Sequence, residues 1–221
     1  SDAVHAVNII LQNKLVPATL DIMDKKTLQT VEQFYPAGLL TNKEAALVLE
    51  VDGYSASLDY QQNKIIEICQ KAGASGIQSS QTPQDAERIW TARRSAFAAC
   101  SKLKPNVVTE DVIVPRENIS KLVEGIKKIC EKNNLTVCIM GHIGDGNIHP
   151  NIPLDLNNSE EVENYSRAKD EIHQLALDLG GTLSGEHGIG CEKLKYMTNA
   201  IDVVTLEYMK KIKTIFDEKN I

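Results

Sequence analysis

With 221 residues, 42% of them hydrophobic, the chain is long enough to bury a substantial core as one domain or two closely packed halves. Thirty acidic against 24 basic side chains leave a formal charge of -6, which argues against nucleic acid and acidic membrane surfaces as partners, since both are polyanions. Five cysteines (Cys69, Cys100, Cys130, Cys138, Cys191), an odd number without a Cys-x-x-Cys pair, argue against a disulfide framework or a thiolate zinc site and fit a reducing, cytoplasmic compartment.

Residues 1–3 are set aside as a remnant of expression, and the N-terminus has no basic-then-apolar signal pattern. Residues 45–52 (AALVLEVD) read as a buried strand, followed by a helix over 57–72 with apolar positions at Leu58, Ile65, Ile66, Ile68 and Cys69 and a stop at Gly73. Residues 76–80 suggest a short strand. Thr82 is a plausible N-cap with Pro83 as first helical residue, opening a helical stretch through Trp90 to Leu103 that must end before Pro105.

The second half repeats the pattern: strand 106–114, helix 116–132, strand 135–140, a turn-like loop at 153–159, helix 160–179, strand 182–184 and helix 203–219. The apolar run at 135–140 is interrupted by polar residues far short of the roughly 20 residues a transmembrane helix needs, so no span is expected. Alternation of strands and helices suits a parallel doubly wound sheet, but short strands around long helices suit an α+β sandwich equally, and periodicity does not choose between them.

Eight of the 13 glycines lie between Gly141 and Gly190, where backbone must turn sharply or approach something closely. Within residues 141–151 (GHIGDGNIHPN), His142 and His149 flank the turn signal Gly144-Asp145-Gly146. An offset of seven would put the two imidazoles on opposite faces of one straight strand, so a shared ligand requires the chain to fold back between them. Two imidazoles suit a divalent transition metal, and Gly185–Gly190 (GEHGIG) supplies a carboxylate, Glu186, beside His187. A phosphate-cradling loop at 141–146 is the weaker reading: the spacing is not the dinucleotide fingerprint, and Asp145 would repel a phosphate. His5 and His173 lack the glycine-rich setting and are assigned to surface or helix positions. Arg93 and Arg94 beside Trp90 either turn a carboxylate-clamping guanidinium to the site or form a solvated pair, and Asp111 either faces the site or is a surface carboxylate.

The two glycine-histidine segments, with IWTARRSAF at 89–97, VTEDVIVP at 108–115 and IFDEKNI at 215–221, closely resemble the C-terminal domain of FAD-linked oxidases of the vanillyl-alcohol-oxidase type. Within these the chain is most similar to the glycolate oxidase flavin subunit, D-lactate dehydrogenase and D-2-hydroxyglutarate dehydrogenase group, over nearly its whole length. The resemblance implies an α+β fold, a ferredoxin-like sandwich with internal duplication and an antiparallel sheet covered by helices. It implies FAD held by a separate N-terminal domain that is absent from this chain, which is expected to be a fragment. It also implies a divalent metal such as zinc, manganese or iron on His142, His149 and Glu186, with His187 as general base and Arg93 and Asn151 on the substrate.

The partners implied are a small 2-hydroxy acid, the FAD domain of the same protein and an electron-transfer subunit, with room for peripheral membrane association. Phe97 and Thr109 stand where the 2-hydroxyglutarate members place a threonine and a lysine for the distal carboxylate, which favours a monocarboxylate such as glycolate or lactate. The residues alone leave two other readings: a metal-dependent hydrolase with water at the open ligand position, or a non-catalytic metal-binding interaction module.

Overall fold

A computed structural model describes residues 2–221. In chain order the elements are α1 (Asp2–Gln12), β1 (Thr19–Asp24), α2 (Lys25–Phe34), β2 (Ala45–Glu50), α3 (Ser55–Lys71), α4 (Pro83–Arg94), α5 (Ala96–Cys100), β3 (Asn106–Thr109), β4 (Val112–Ile113), α6 (Ile119–Lys132), β5 (Cys138–His142), β6 (Asn147–Leu154), α7 (Ser159–Asp178), α8 (Met197–Ala200) and α9 (Val203–Phe216). The strands form one sheet in the order β2-β1-β5-β6-β3, with β4 also on β6, and every pairing is antiparallel. The α+β class is therefore the one adopted, and the parallel doubly wound alternative falls.

Side chains alternate across a strand, so the sheet has two faces to cover. Leu20, Ile22, Ile139, Ile148 and Ile152 pack under α1, α6 and α7 through Val4, Ile126 and Ile172. On the opposite face Met23, Val48, Cys138 and Met140 pack under α2, α4 and α5 through Leu28, Val31, Ala92, Ala96 and Ala99. α3 joins α1 beside β2, burying Ile65, Ile68 and Cys69 against Ala6 and Ile10.

Several expected elements are confirmed with small shifts: β2, α3 with Gly73 at φ +86°, α7, α9, and α6 preceded by a 3₁₀ turn at Arg116–Asn118. Thr82 caps α4 in a reciprocal capping box with Asp85, and Pro83 is its first residue. The long helix expected beyond it is broken at Ser95, whose hydroxyl bonds the Ala92 carbonyl at 3.0 Å and competes with the helical ladder. Residues 76–80 form no strand; they are exposed, and Ile77 is their one large apolar side chain.

The strand expected at 135–140 begins at Cys138, because Asn134 turns at φ +53° and the Leu135 N–H closes α6 on the Cys130 carbonyl at 2.8 Å. The strand expected at 182–184 reduces to a single bridge between Thr182 and Ile113. The strand expected at 106–114 is interrupted at Glu110 and Asp111. Thr109 faces Asn151 and Val112 faces Ile148, so the register is unbroken, but Glu110 lies opposite Pro150, which has no N–H to return to the ladder. The elements α1, β1 and α2 were not anticipated. Asp2 and Ala3, set aside as an expression remnant, lie in α1, whereas Ser1 lies outside the described residues. Among the described residues no helix is long and apolar enough to cross a membrane.

One buried carboxylate ties three elements together. Asp24 Oδ1 accepts from the Thr27 N–H at 3.0 Å as N-cap of α2, from Thr27 Oγ1 at 2.8 Å, and from the Ile139 N–H of β5 at 3.1 Å. Replacing Asp24 with Ala removes the cap, about 1 kcal/mol, and strands a buried N–H at about 1–3 kcal/mol, so urea unfolding of Asp24→Ala should show a loss of about 2–4 kcal/mol.

Candidate functional site

β5 and β6 form the hairpin that the Gly144-Asp145-Gly146 signal requires, with His142 opposite Asn147 and Met140 opposite His149. Gly146 closes it at φ +83°, where a Cβ would lie 2.1 Å from the Val114 carbonyl oxygen. Folding back turns the odd offset of seven into a diagonal pair on one face. The His142 and His149 rings stand 5.4 Å apart, nearly perpendicular at 83°.

β1 supplies the next residue. Asp21 is the direct cross-strand neighbour of His142, and its Oδ1 lies 2.8 Å from His142 Nδ1 while Oδ2 lies 2.7 Å from Arg93 Nε on α4. A carboxylate on Nδ1 favours the tautomer that leaves Nε2 with its lone pair free, as in carboxylate-backed imidazole ligands.

The segment at 184–188 crosses the same end of the sheet as a loop. Gly185 passes so close to Asn147 that a Cβ would meet that side chain at 2.4 Å. The loop brings Glu186 Oε1 to 3.0 Å from His149 Nε2 and 3.5 Å from His142 Nε2. The ligand atoms of His142, His149 and Glu186 all lie within 4.8 Å of one another, as do those of a second group, Asp111, His149 and His187. His187 is half exposed, and its ring stacks on His149 at 5.1 Å and 12°. Two imidazole nitrogens and one carboxylate oxygen converging within 4.8 Å are a donor set suited to a divalent transition metal, so the residues fit such an ion.

The other expected residues fall as follows. Arg93 is largely buried on the site face, held by Asp21, whereas Arg94 is exposed and paired with Glu87. Asn151 lies two residues beyond His149 on the same face; its Nδ2 donates to the His149 carbonyl at 2.9 Å and its Oδ1 accepts from Thr109 Oγ1 at 2.7 Å. Asp111 is fully buried rather than a surface carboxylate. His5 is exposed on α1; His173 lies on α7 but is fully buried, its Nε2 2.9 Å from Glu110 Oε2. Asp21 and Lys193 were not anticipated. Asp21 had a signal, a carboxylate between Leu20 and Ile22 on an otherwise apolar strand; Lys193 had none.

Burial pushes the His149 imidazole below its ordinary pKa, against the opposing pull of Asp111 and Glu186, and so favours its neutral form. Burial alone would raise the Asp111 carboxyl, but hydrogen bonds from Ser184 and the His187 and Glu186 backbones, together with the nearby Lys193 ammonium, hold it well below the usual carboxylate range.

Residues 1–221 match the family described as "FAD linked oxidases, C-terminal domain". The chain belongs to this family. It is 38% identical to glycolate oxidase subunit GlcD of Bacillus subtilis (strain 168), over 99% of this chain and 47% of that protein. It is 32% identical to glycolate oxidase subunit GlcD of Escherichia coli (strain K12), over 96% of this chain and 42% of that protein. It is 30% identical to the probable mitochondrial D-lactate dehydrogenase of Danio rerio, over 99% and 44%. The chain thus spans a little under half the length of these relatives. Among solved structures, substrate-bound p-cresol methylhydroxylase shares its fold at a TM-score of 0.72 and 12% identity, over 99% of this chain and 48% of that one.

The FAD-linked oxidase domain carries a pH dependence at His149. Its folded pKa lies below the ordinary value of 6.5, so as the pH falls below about 6.5 the unfolded chain takes up a proton that the folded one refuses. Stability from this group is present above that value and declines below it, by at most about 1.4 kcal/mol per pH unit. Urea unfolding in chelator at pH 7.0 and 5.5 should show the decline, and His149→Gln should reduce it.

Proposed function

We propose that this domain supplies the substrate and metal sites of a flavin-dependent dehydrogenase that oxidises a small 2-hydroxy acid, of the glycolate or D-lactate type, to the 2-oxo acid. The convergence of His142, His149 and Glu186 within 4.8 Å carries the reading, in a family defined by FAD-linked oxidation. These three residues would hold a divalent ion such as zinc, manganese or iron, which when bound supplies Lewis acidity toward the substrate hydroxyl and carboxylate. FAD, held by a separate N-terminal domain, supplies the two-electron acceptor.

The chain's own residues do the rest. Asp21 pairs with Arg93 as an ion pair, Oδ2 2.7 Å from Nε, and holds the guanidinium at the site, whose Nη donors then serve the substrate carboxylate. Asn151 accepts from the floor of the site, where Oδ1 has a second lone pair beyond the one given to Thr109, while its Nδ2 is held by the Cys138 and His149 carbonyls. His187, half exposed beside Glu186, takes the hydroxyl proton on a ring nitrogen. Loss of that proton together with a hydride from C2 is the two-electron oxidation to the 2-oxo acid. Thr109 and Phe97 offer no cation for a distal carboxylate, which supports a monocarboxylate substrate.

Two replacements in the full-length protein separate the roles. His187→Ala should lower kcat for dye reduction with a 2-hydroxy acid by about 10²–10⁴-fold while keeping its metal content. His142→Ala should lose both metal and activity. A full metal load in His142→Ala, read by elemental analysis, overturns the ligand assignment; failure of the wild-type flavoprotein to reduce dye with any 2-hydroxy acid overturns the activity.

A further inference from the structure

The carboxylate of Asp111 is fully buried, yet nothing in the proposed chemistry uses it. Its Oδ2 is a hub: Ser184 Oγ donates to it at 2.6 Å, and the backbone N–H groups of Gly185, Glu186 and His187 donate at 3.0, 3.1 and 2.9 Å. Successive N–H groups wrapped around one carboxylate oxygen are the charge-assisted form of a backbone anion nest. Here the anion belongs to the strand and the nest to the loop that carries Glu186 and His187. Its other oxygen, Oδ1, is buried and lies 3.8 Å from His149 Nδ1, itself buried without another partner.

We propose that Asp111 is the positioning residue of the site, setting where Glu186 and His187 stand relative to His149. One oxygen fixes the backbone of both residues, and the other faces the imidazole from behind. At 3.8 Å Oδ1 is beyond hydrogen-bonding range, but it is the acceptor that faces His149 Nδ1 and favours the proton there, which leaves the Nε2 lone pair for an ion. The result repeats what Asp21 does for His142 at 2.8 Å. Each imidazole then has its own buried carboxylate, and only Asp111 also holds the loop.

Asp111 is itself held from three sides. Lys193 donates to its carbonyl oxygen at 2.7 Å and to the Leu183 carbonyl at 2.8 Å, clamping strand to loop. The preceding residue, Glu110, points to the opposite face of the sheet, where Tyr165 and His173 bond its two oxygens. The Glu110 N–H donates to the Pro150 carbonyl at 2.9 Å, which holds the backbone next to His149.

The consequence for chemistry rests on the ligand and base assignments above; the anchoring does not, and the experiment separates them. In the full-length protein, Asp111→Asn removes the charge from the nest and leaves one acceptor oxygen for the two places, nest and imidazole, that the carboxylate serves. Hydrogen exchange in a peptide covering 184–188 should quicken by about tenfold or more, with β5 and β6 peptides unchanged. The Zn²⁺ dissociation constant from chelator competition should weaken by about 10–100-fold. Ser184→Ala removes one donor and keeps the carboxylate, so it should show both changes to a smaller degree, and it decides the matter if Asp111→Asn does not fold.

Unchanged exchange at 184–188 in the folded variants overturns the proposal. So does a wild type that binds two Zn²⁺ per chain and an Asp111→Asn that binds one, since Asp111 would then be a ligand. If wild type binds no Zn²⁺ and exchange still quickens, the anchoring stands and the metal reading fails.

Discussion

A single buried carboxylate, Asp21, joins the parts of this domain that have to meet. Its two oxygens hold His142 across the sheet and Arg93 from the covering helix, so strand β1, hairpin strand β5 and helix α4 are brought to one point by charge as well as by packing. Burying such a group is costly unless it is paired on every side. The sheet face it occupies is apolar toward Met23, Met140 and Cys138, where α2 and α5 cover it, and polar toward His142, His149 and Asn151. The boundary between core and site therefore runs along single strands.

The polar end of the sheet is held together by acceptors as much as by positive charge. Asp111 gathers backbone N–H groups, Asp24 gathers a helix N-terminus and a strand N–H, and Glu110 gathers Tyr165 and His173. In each case hydrogen bonds satisfy the oxygens of a buried carboxylate, the arrangement in which such a group stabilises its surroundings. The chain's excess of acidic residues is thus partly interior and structural, not only a surface charge.

Much of the site was legible because it is local. The hairpin followed from an odd spacing of histidines about a Gly-Asp-Gly turn, and the loop carrying Glu186 from its glycines. What stayed hidden depends on partners far along the chain. Asp21 meets His142 across 121 positions, and no periodicity reports that. Asp111 read as either a site or a surface residue because its partners, the N–H groups of 185–187, have no side-chain signature. The same pattern explains the fold. Strand 106–114 was legible as a run, but its interruption depends on Pro150 arriving opposite Glu110. Residues 76–80 had strand-like composition and no neighbour to pair with. Ser95 split a helix through one hydroxyl.

Glu110 and Asp111 carry the same charge on adjacent residues and serve opposite faces of one strand. Inserting an uncharged residue just before them would move Glu110 into the place of Asp111, and deleting one would move Asp111 into the place of Glu110, without altering the net charge of the chain. After the insertion the longer glutamate arm would enter the nest; after the deletion the shorter aspartate would fall short of Tyr165 and His173. Loop residues elsewhere can tolerate a change of length, but this stretch cannot absorb one, however well the charge is conserved. In evolutionary terms it is a length-locked segment, where the frame matters as much as the charge.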